Sequence, residues 1–194
     1  RTLTNVNFDD EVFKKHLHEI DDKYAAAVAQ YEQACADNGK EVAPLHSEFA
    51  PNNKGKSVEE LVSSAKAVGL QARQEVTNED IIGLQELITY GIKGAAAYAK
   101  HAALMGSYDP TITNDLSKHM AILTNGNATA EELLGTALAV GELNYRIMGM
   151  LEDTHIKKYG TPEPTEVPIT PVDGKCILVS GHDLVDLESI LKQT

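Results

Sequence analysis

Apolar side chains recur at steps of three and four residues along most of the chain, a spacing that places them on one face of an α-helix. The strongest pattern spans residues 79–105 and ends at Gly106. A second long helix is predicted to begin at Thr129, where Glu132 completes a capping box, and to end at Gly160. Its expected inner face comprises Leu133, Leu134, Ala137, Leu138, Gly141, Tyr145, Met148 and Leu151.

Caps and helix-terminating residues mark the ends of three further helices. Residues 40–56 contain Pro44 and Pro51 and show no sustained period, so they are predicted to form a long surface connection. Five helices joined by short and medium loops favour an antiparallel bundle over residues 1–159. The flanking signals are Asn7 or Asp9 with Asn38-Gly39, Ser57 and Glu60 with Gly69, and Asp109-Pro110 with Asn125-Gly126.

Small residues interrupt the apolar stripe of the 79–105 helix at Gly91, Gly94, Ala95 and Ala96. A glycine within an exposed helix costs up to about 1 kcal/mol relative to alanine, so a compensating contact is expected here. We predict that a neighbouring helix packs unusually close to this stretch. This structural role is favoured over a role in cofactor binding.

The composition changes at Gly160, because four prolines within residues 162–171 exclude a continuous helix. Residues 160–174 are therefore predicted to be a linker. The apolar run at 176–179 is typical of a buried strand, and a turn and a helix follow it. The predicted fold class is mainly α: an antiparallel helical bundle, then the first β-strand, turn and helix of an α/β, Rossmann-like domain over residues 175–194. One strand cannot form a parallel sheet, so we expect the chain to be a segment of a longer protein.

Charge and composition narrow the possible partners and compartment. The 194 residues include 17 basic and 29 acidic side chains, for a net charge of −12, which disfavours nucleic acids and anionic membranes as partners. The sequence contains no apolar run of the roughly 18 residues that span a bilayer and no basic-then-apolar start typical of a secretory signal. Cys35 and Cys176 are too far apart for a disulfide framework or a Cys-x-x-Cys site. We expect a cytoplasmic protein.

Most histidines lack a convincing ligand pattern. A di-iron bundle needs two Glu-x-x-His motifs, and only Glu152 and His155 have that spacing. The chain also has no Gly-x-Gly-x-x-Gly turn, Walker loop or Gly-x-Ser-x-Gly elbow, so nucleotide binding and serine hydrolysis have no support. His16 and His18 lie two residues apart, on different helix faces, and are interpreted as solvated; the other three are interpreted as surface or core residues: His46, His101 and His119.

His182 occupies a more informative position, in the turn after the predicted strand. Open α/β domains place their ligands at this edge of the sheet. An imidazole there can coordinate a metal through one nitrogen while a second group orients the other nitrogen. From the pattern alone, a packing or helix-capping role for His182 remains the alternative.

Three stretches carry a more specific signal. They read LTNVNFDD at residues 3–10, ELITYGIKGAAAYAKHA at 86–102 and ILVSGHDL at 177–184. In residues, order and spacing, and with the linker that ends at Pro168, they resemble the hybrid cluster protein family, also called prismane protein or hydroxylamine reductase. The resemblance spans essentially the whole chain.

The resemblance implies a helical domain followed by two α/β domains that together bind two metal clusters. One is a hybrid 4Fe-2O-2S cluster and the other a 4Fe-4S or 2Fe-2S cluster. The resemblance assigns His182 as an iron ligand of the hybrid cluster and assigns the other ligands to cysteines and glutamates outside this chain. Neither Cys35 nor Cys176 matches a family ligand, so we expect no cluster in residues 1–194 alone, since thiolates are needed to hold one. No catalytic residue is assigned within the chain.

For the intact protein, the resemblance implies reduction of hydroxylamine to ammonia and water, with a further role in nitric oxide or nitrosative stress. The expected partners are hydroxylamine, an electron-donor redox protein and the remaining domains of the same polypeptide. The 194-residue segment alone is predicted to be inactive. The alternative is a non-catalytic helical interaction protein that keeps the scaffold without the clusters.

Overall fold

The computed structural model describes residues 9–43, 50–67, 69–75, 77–181 and 184–194, and the predicted mainly helical fold is confirmed. The chain divides into two compact units, Arg1–Gly160 and Thr161–Thr194. The helices are α1 (Asp10–Asp37), α2 (Val58–Ala67), α3 (Leu70–Gln74), α4 (Glu79–Leu104), α5 (Pro110–Ala121), α6 (Ala130–Tyr159) and α7 (Leu184–Leu191), with a 3-10 turn at Ile122–Thr124.

Helices α4, α5 and α6 enclose the core of the first unit. Ile88 packs with Leu133 and Val140 near the beginnings of α4 and α6, and Ala95 packs with Leu143 and Ile147 further along both helices. Helices α4 and α6 therefore run in the same direction. Helix α5 runs back alongside both of them, because its beginning packs against the later part of α6 and the 3-10 turn after it packs against the first part. The predicted antiparallel arrangement holds for α4 with α5 and for α5 with α6, whereas α4 and α6 are parallel.

The predicted close approach of a second helix occurs at Gly91 and not at Gly94. A Cβ atom added to Gly91 would lie 2.9 Å from Cγ1 of Val140 on α6. A Cβ at Gly94 would meet no atom within 4 Å. Packing therefore favours glycine at Gly91, because a Cβ atom there would force Val140 of α6 to shift.

Side-chain caps fix the helix starts where the sequence predicts them. Thr129 and Glu132 form a reciprocal capping box at α6, and the hydrogen bonds that the Glu132 carboxylate accepts from the Thr129 backbone N–H and hydroxyl lower its pKa. The Asp109 carboxylate accepts the Thr111 N–H at 2.8 Å and begins α5. The predicted box at α2 also forms, between Ser57 and Glu60.

Helix α1 forms where apolar residues recur at helical spacing, but it contributes little to the core. Cys35 is the buried residue that its described part supplies. A polar contact anchors the following connection to it: the Asp21 carboxylate accepts hydrogen bonds from the backbone N–H groups of Asn53 and Lys54, each at 2.8 Å, and from Nδ2 of Asn53 at 2.7 Å. Partial burial raises the pKa of Asp21, but these hydrogen bonds outweigh it and the pKa is lowered overall.

The expected inner face of α6 is only partly correct. Leu133 is buried as predicted, but Leu134, Leu138, Tyr145 and Met148 are exposed. Apolar residues cover more than one side of α6, and α4 and α5 together occupy only one arc of its circumference. The residues that α6 buries in the core are Leu133, Val140, Leu143 and Ile147.

The second unit contains α7 but forms no strand in its described residues. Residues 175–181, which include the predicted strand, have no regular secondary structure, and Leu178 within them is exposed. A strand needs a partner ladder for its backbone N–H and C=O groups, and the described part of the chain supplies none. Helix α7 spans Leu184–Leu191, in agreement with the predicted C-terminal helix.

Candidate cluster-binding site

His182, the predicted cluster ligand, lies with Asp183 outside the described residues. The structure describes both flanks of the motif. Gly181 has φ of +148°, a backbone conformation that favours glycine. On the other flank, α7 begins at Leu184. Gly181, between the apolar run and α7, thus has a backbone conformation that favours glycine, while the metal role of His182 stays a prediction.

The two cysteines have different environments. Cys35 is buried near the end of α1, and Cys176 is exposed in the second unit. Within the described ranges, the structure shows no cluster of three or more histidine, cysteine, aspartate or glutamate side chains able to hold a metal ion. The described side chains therefore do not form a thiolate cage for an iron–sulfur cluster.

Two other described histidines, His16 and His155, contact side chains of their own helices, while Nε2 of His16 and of His18 is buried without a hydrogen-bond partner among the described residues. Nδ1 of His16 lies 3.2 Å from Oε2 of Glu19 one turn away, and this side-chain hydrogen bond lowers the pKa of Glu19. The His155 ring lies 6.2 Å from the Tyr159 ring near the end of α6. His46 lies outside the described residues. The interpretation of Glu152 and His155 as residues near a helix end agrees with their position on the last turns of α6.

A cavity of about 320 Å³ lies between α4, α5 and α6. Three alanines of α4, at positions 96, 99 and 103, leave this space because their side chains are too short to reach α5. Ile112, Leu116 and Met150 supply the apolar lining, with Lys100 and Tyr108 also along it. The cavity thus marks the side of α4 that α5 covers.

The opposite side of the same two helices is uncovered and apolar. We call this surface the open face and define it by Leu87, Gly94 and Tyr98 of α4 with Leu134, Leu138, Gly141, Tyr145 and Met148 of α6. Its six large side chains are all exposed, with Leu138 at 70% and Tyr145 at 79%. Sequence reasoning assigned the α6 residues to the core, although the breadth of the apolar arc on α6 could have indicated two separate contact surfaces.

The three sequence stretches at residues 3–10, 86–102 and 177–184 agree with a match to a known protein family. The family model described as the Prismane/CO dehydrogenase family matches residues 1–194. The chain belongs to this family. The predicted resemblance to hybrid cluster proteins is therefore confirmed.

Family membership supports an iron–sulfur oxidoreductase as the class of the intact protein. The described residues fit the role of a helical scaffold and do not fit the role of a complete cluster site, since Cys35 and Cys176 belong to different compact units and neither lies in a ligand group. None of the helices in the described ranges is both long and apolar enough to span a membrane.

Proposed function

We propose that this chain is the helical scaffold segment of a hydroxylamine reductase that breaks the N–O bond of its substrate. In the overall reaction hydroxylamine takes up two electrons and two protons and yields ammonia and water. The observation that carries the proposal is the family match over residues 1–194, together with the ILVSGHDL motif at 177–184. The iron–sulfur centres of the intact polypeptide would supply the electrons.

In this proposal, His182 is an iron ligand of a hybrid 4Fe-2O-2S cluster, and the other ligands come from polypeptide outside residues 1–194. A 4Fe-4S or 2Fe-2S cluster and an electron-donor redox protein complete the electron path. A strand formed by residues 176–179 within an α/β domain would hold His182 at the edge of a sheet. We also propose a cytoplasmic location and a role in nitrosative stress, both on the resemblance alone.

The first test uses the 194-residue chain, reconstituted anaerobically with iron and sulfide. Because its described side chains form no ligand group, we expect no visible charge-transfer absorption and no hydroxylamine turnover. A stoichiometric cluster on this chain would contradict the proposal that the other ligands lie elsewhere.

The second test replaces His182 with alanine in the intact polypeptide. We expect hydroxylamine turnover and the electron paramagnetic resonance signal of the hybrid cluster to be lost, while the helical circular dichroism signal stays unchanged. His155→Ala is the matched control and should retain both activity and signal. An intact polypeptide with neither clusters nor turnover would instead be the helical interaction protein considered above.

A further inference from the structure

The open face of α4 and α6 is large for a surface whose apolar side chains stay exposed beside the described residues. Each of its six large side chains exposes on the order of 100 Å², so the patch reaches about 600 Å², the upper end for monomeric proteins. Gly94 and Gly141 lie within it, and a Cβ added to either would meet no atom within 4 Å. The glycines therefore leave shallow space in which a partner's apolar side chains can pack.

Both helices turn their open-face residues away from α5. On α4, Ala96 and Lys100 line the cavity beside α5, whereas Leu87 and Tyr98 lie on the other flank. On α6, Arg146 forms an ion pair with Asp115 of α5 at 2.8 Å. Helices α4 and α6 are parallel, and Gly91 lies beside Val140 along them. The sides of the two helices that point away from α5 therefore form one continuous surface.

Acidic side chains lie along the α6 part of this surface. Glu131 lies one turn before Leu134, Glu142 lies between Leu138 and Tyr145 along the helix, and Glu152 lies one turn after Met148. These three carboxylates are exposed, and the structure shows no hydrogen-bond or ion-pair partner for them among the described residues. Of the cations nearby, Lys100 and Arg146 belong to the side that faces α5, and Nζ of Lys93 lies 5.4 Å from the centre of the Tyr90 ring.

We propose that the open face docks an amphipathic helix with an apolar ridge and Lys or Arg along its edges, supplied by the remaining domains of the same polypeptide. This inference rests on the proposed function for the existence of those domains. Lysine and arginine edges would pair with Glu131, Glu142 and Glu152, and the patch area lies within the range of inter-domain interfaces, about 600–1,500 Å². A second copy of the chain is disfavoured, because two-fold pairing would bring the acidic borders together in a protein of net charge −12.

The test compares two tyrosines that are both strongly exposed in this chain. Tyr145 lies on the open face, and Tyr108, at 69% exposure, lies at the cavity beside α5. Acetylation by N-acetylimidazole, followed by peptide mass spectrometry, measures each phenol separately. We expect Tyr145 to react about tenfold more slowly in the intact polypeptide than in the 194-residue chain, and Tyr108 to react equally in both.

A charge-reversal variant tests the partner's chemistry. Glu142→Lys/Glu152→Lys in the intact polypeptide should restore fast acetylation of Tyr145, because the edge charges would then repel. Glu32→Lys/Glu41→Lys changes the net charge equally at exposed positions before α2 and should leave Tyr145 protected. Restoration by both variants would contradict the proposed edge pairing.

Two other outcomes would overturn the proposal. Equal acetylation of Tyr145 in both polypeptides would show that the face stays open. Protection that rises with concentration in the 194-residue chain, with a dimer in sedimentation, would assign the face to a second copy. Cluster content and hydroxylamine turnover, read on the same intact preparation, test the proposed function separately, so a protected Tyr145 without turnover would contradict only that function.

Discussion

Helices α4 and α6 have two apolar flanks, and only one of them is covered. On the covered side, Ile112 of α5 is buried against both helices, and Arg146 is paired with Asp115. On the open side, Leu138 and Tyr145 remain exposed although they follow the same three-and-four spacing. The comparison shows that apolar periodicity identifies a surface that needs a partner, whereas the identity of that partner depends on tertiary structure.

The largest expected difference between the two sides is in stability. Ile147 is fully buried, so Ile147→Ala should lower the free energy of unfolding of the 194-residue chain by about 2–5 kcal/mol. Leu138→Ala should change it by no more than about 0.5 kcal/mol, because Leu138 loses little apolar contact. Urea denaturation followed by circular dichroism measures both variants. Similar losses would mean that the open face is covered in solution.

Much of the difference between the covered and the open sides of α4 and α6 could not be predicted from the sequence. Caps such as Thr129 with Glu132 fix the helix starts through local hydrogen bonds, so their prediction needed no tertiary information. The helix α3 was not predicted, because five residues are too few to show a period, and its Arg73 is held by Gln85 and Glu86 of α4. The division of α6 into buried and exposed apolar residues depends on where α5 returns, which the period does not encode.

At the candidate site, too, local sequence signals do not predict the tertiary surroundings. The ILVSGHDL motif identifies His182 by resemblance, and the glycine before it has a positive φ that favours glycine. The strand that would position it depends on partner strands, which the described residues of this chain do not supply. Local signals could therefore identify the residue but not assemble its surroundings.

A second prediction contrasts two glycines of α4. Gly91→Ala would bring a Cβ to 2.9 Å from Val140, so the overpacking cost offsets the helix-propensity gain of up to about 1 kcal/mol. Gly94→Ala faces open space and should show the full gain. We expect Gly94→Ala to be the more stable variant by about 1–2 kcal/mol in urea denaturation.

The double variant Gly91→Ala/Val140→Ala is the control for this contrast. Removing the Val140 methyl groups relieves the collision, so the two substitutions should be non-additive. Strict additivity would show that the 2.9 Å approach does not constrain the α4–α6 interface.

The smallest expected effect concerns acid stability on the covered side. The Thr111 hydroxyl and backbone N–H donate to the Asp109 carboxylate, and Arg146 adds a favourable charge, so the pKa of Asp109 is lowered from its usual 3.8. Folding therefore favours the ionised form, and the associated stability is present above the usual pKa and lost as the pH falls through the lowered value.

The variant Asp109→Asn keeps a capping oxygen that does not titrate. Its thermal midpoint should fall less steeply than that of the unsubstituted chain between about pH 5 and pH 2. The control is Asp173→Asn in the second unit, which removes the same charge without altering the cap of α5 and should leave the pH dependence of the thermal midpoint unchanged. If the Asp109→Asn variant and the unsubstituted chain show the same pH dependence, this role of the cap is contradicted.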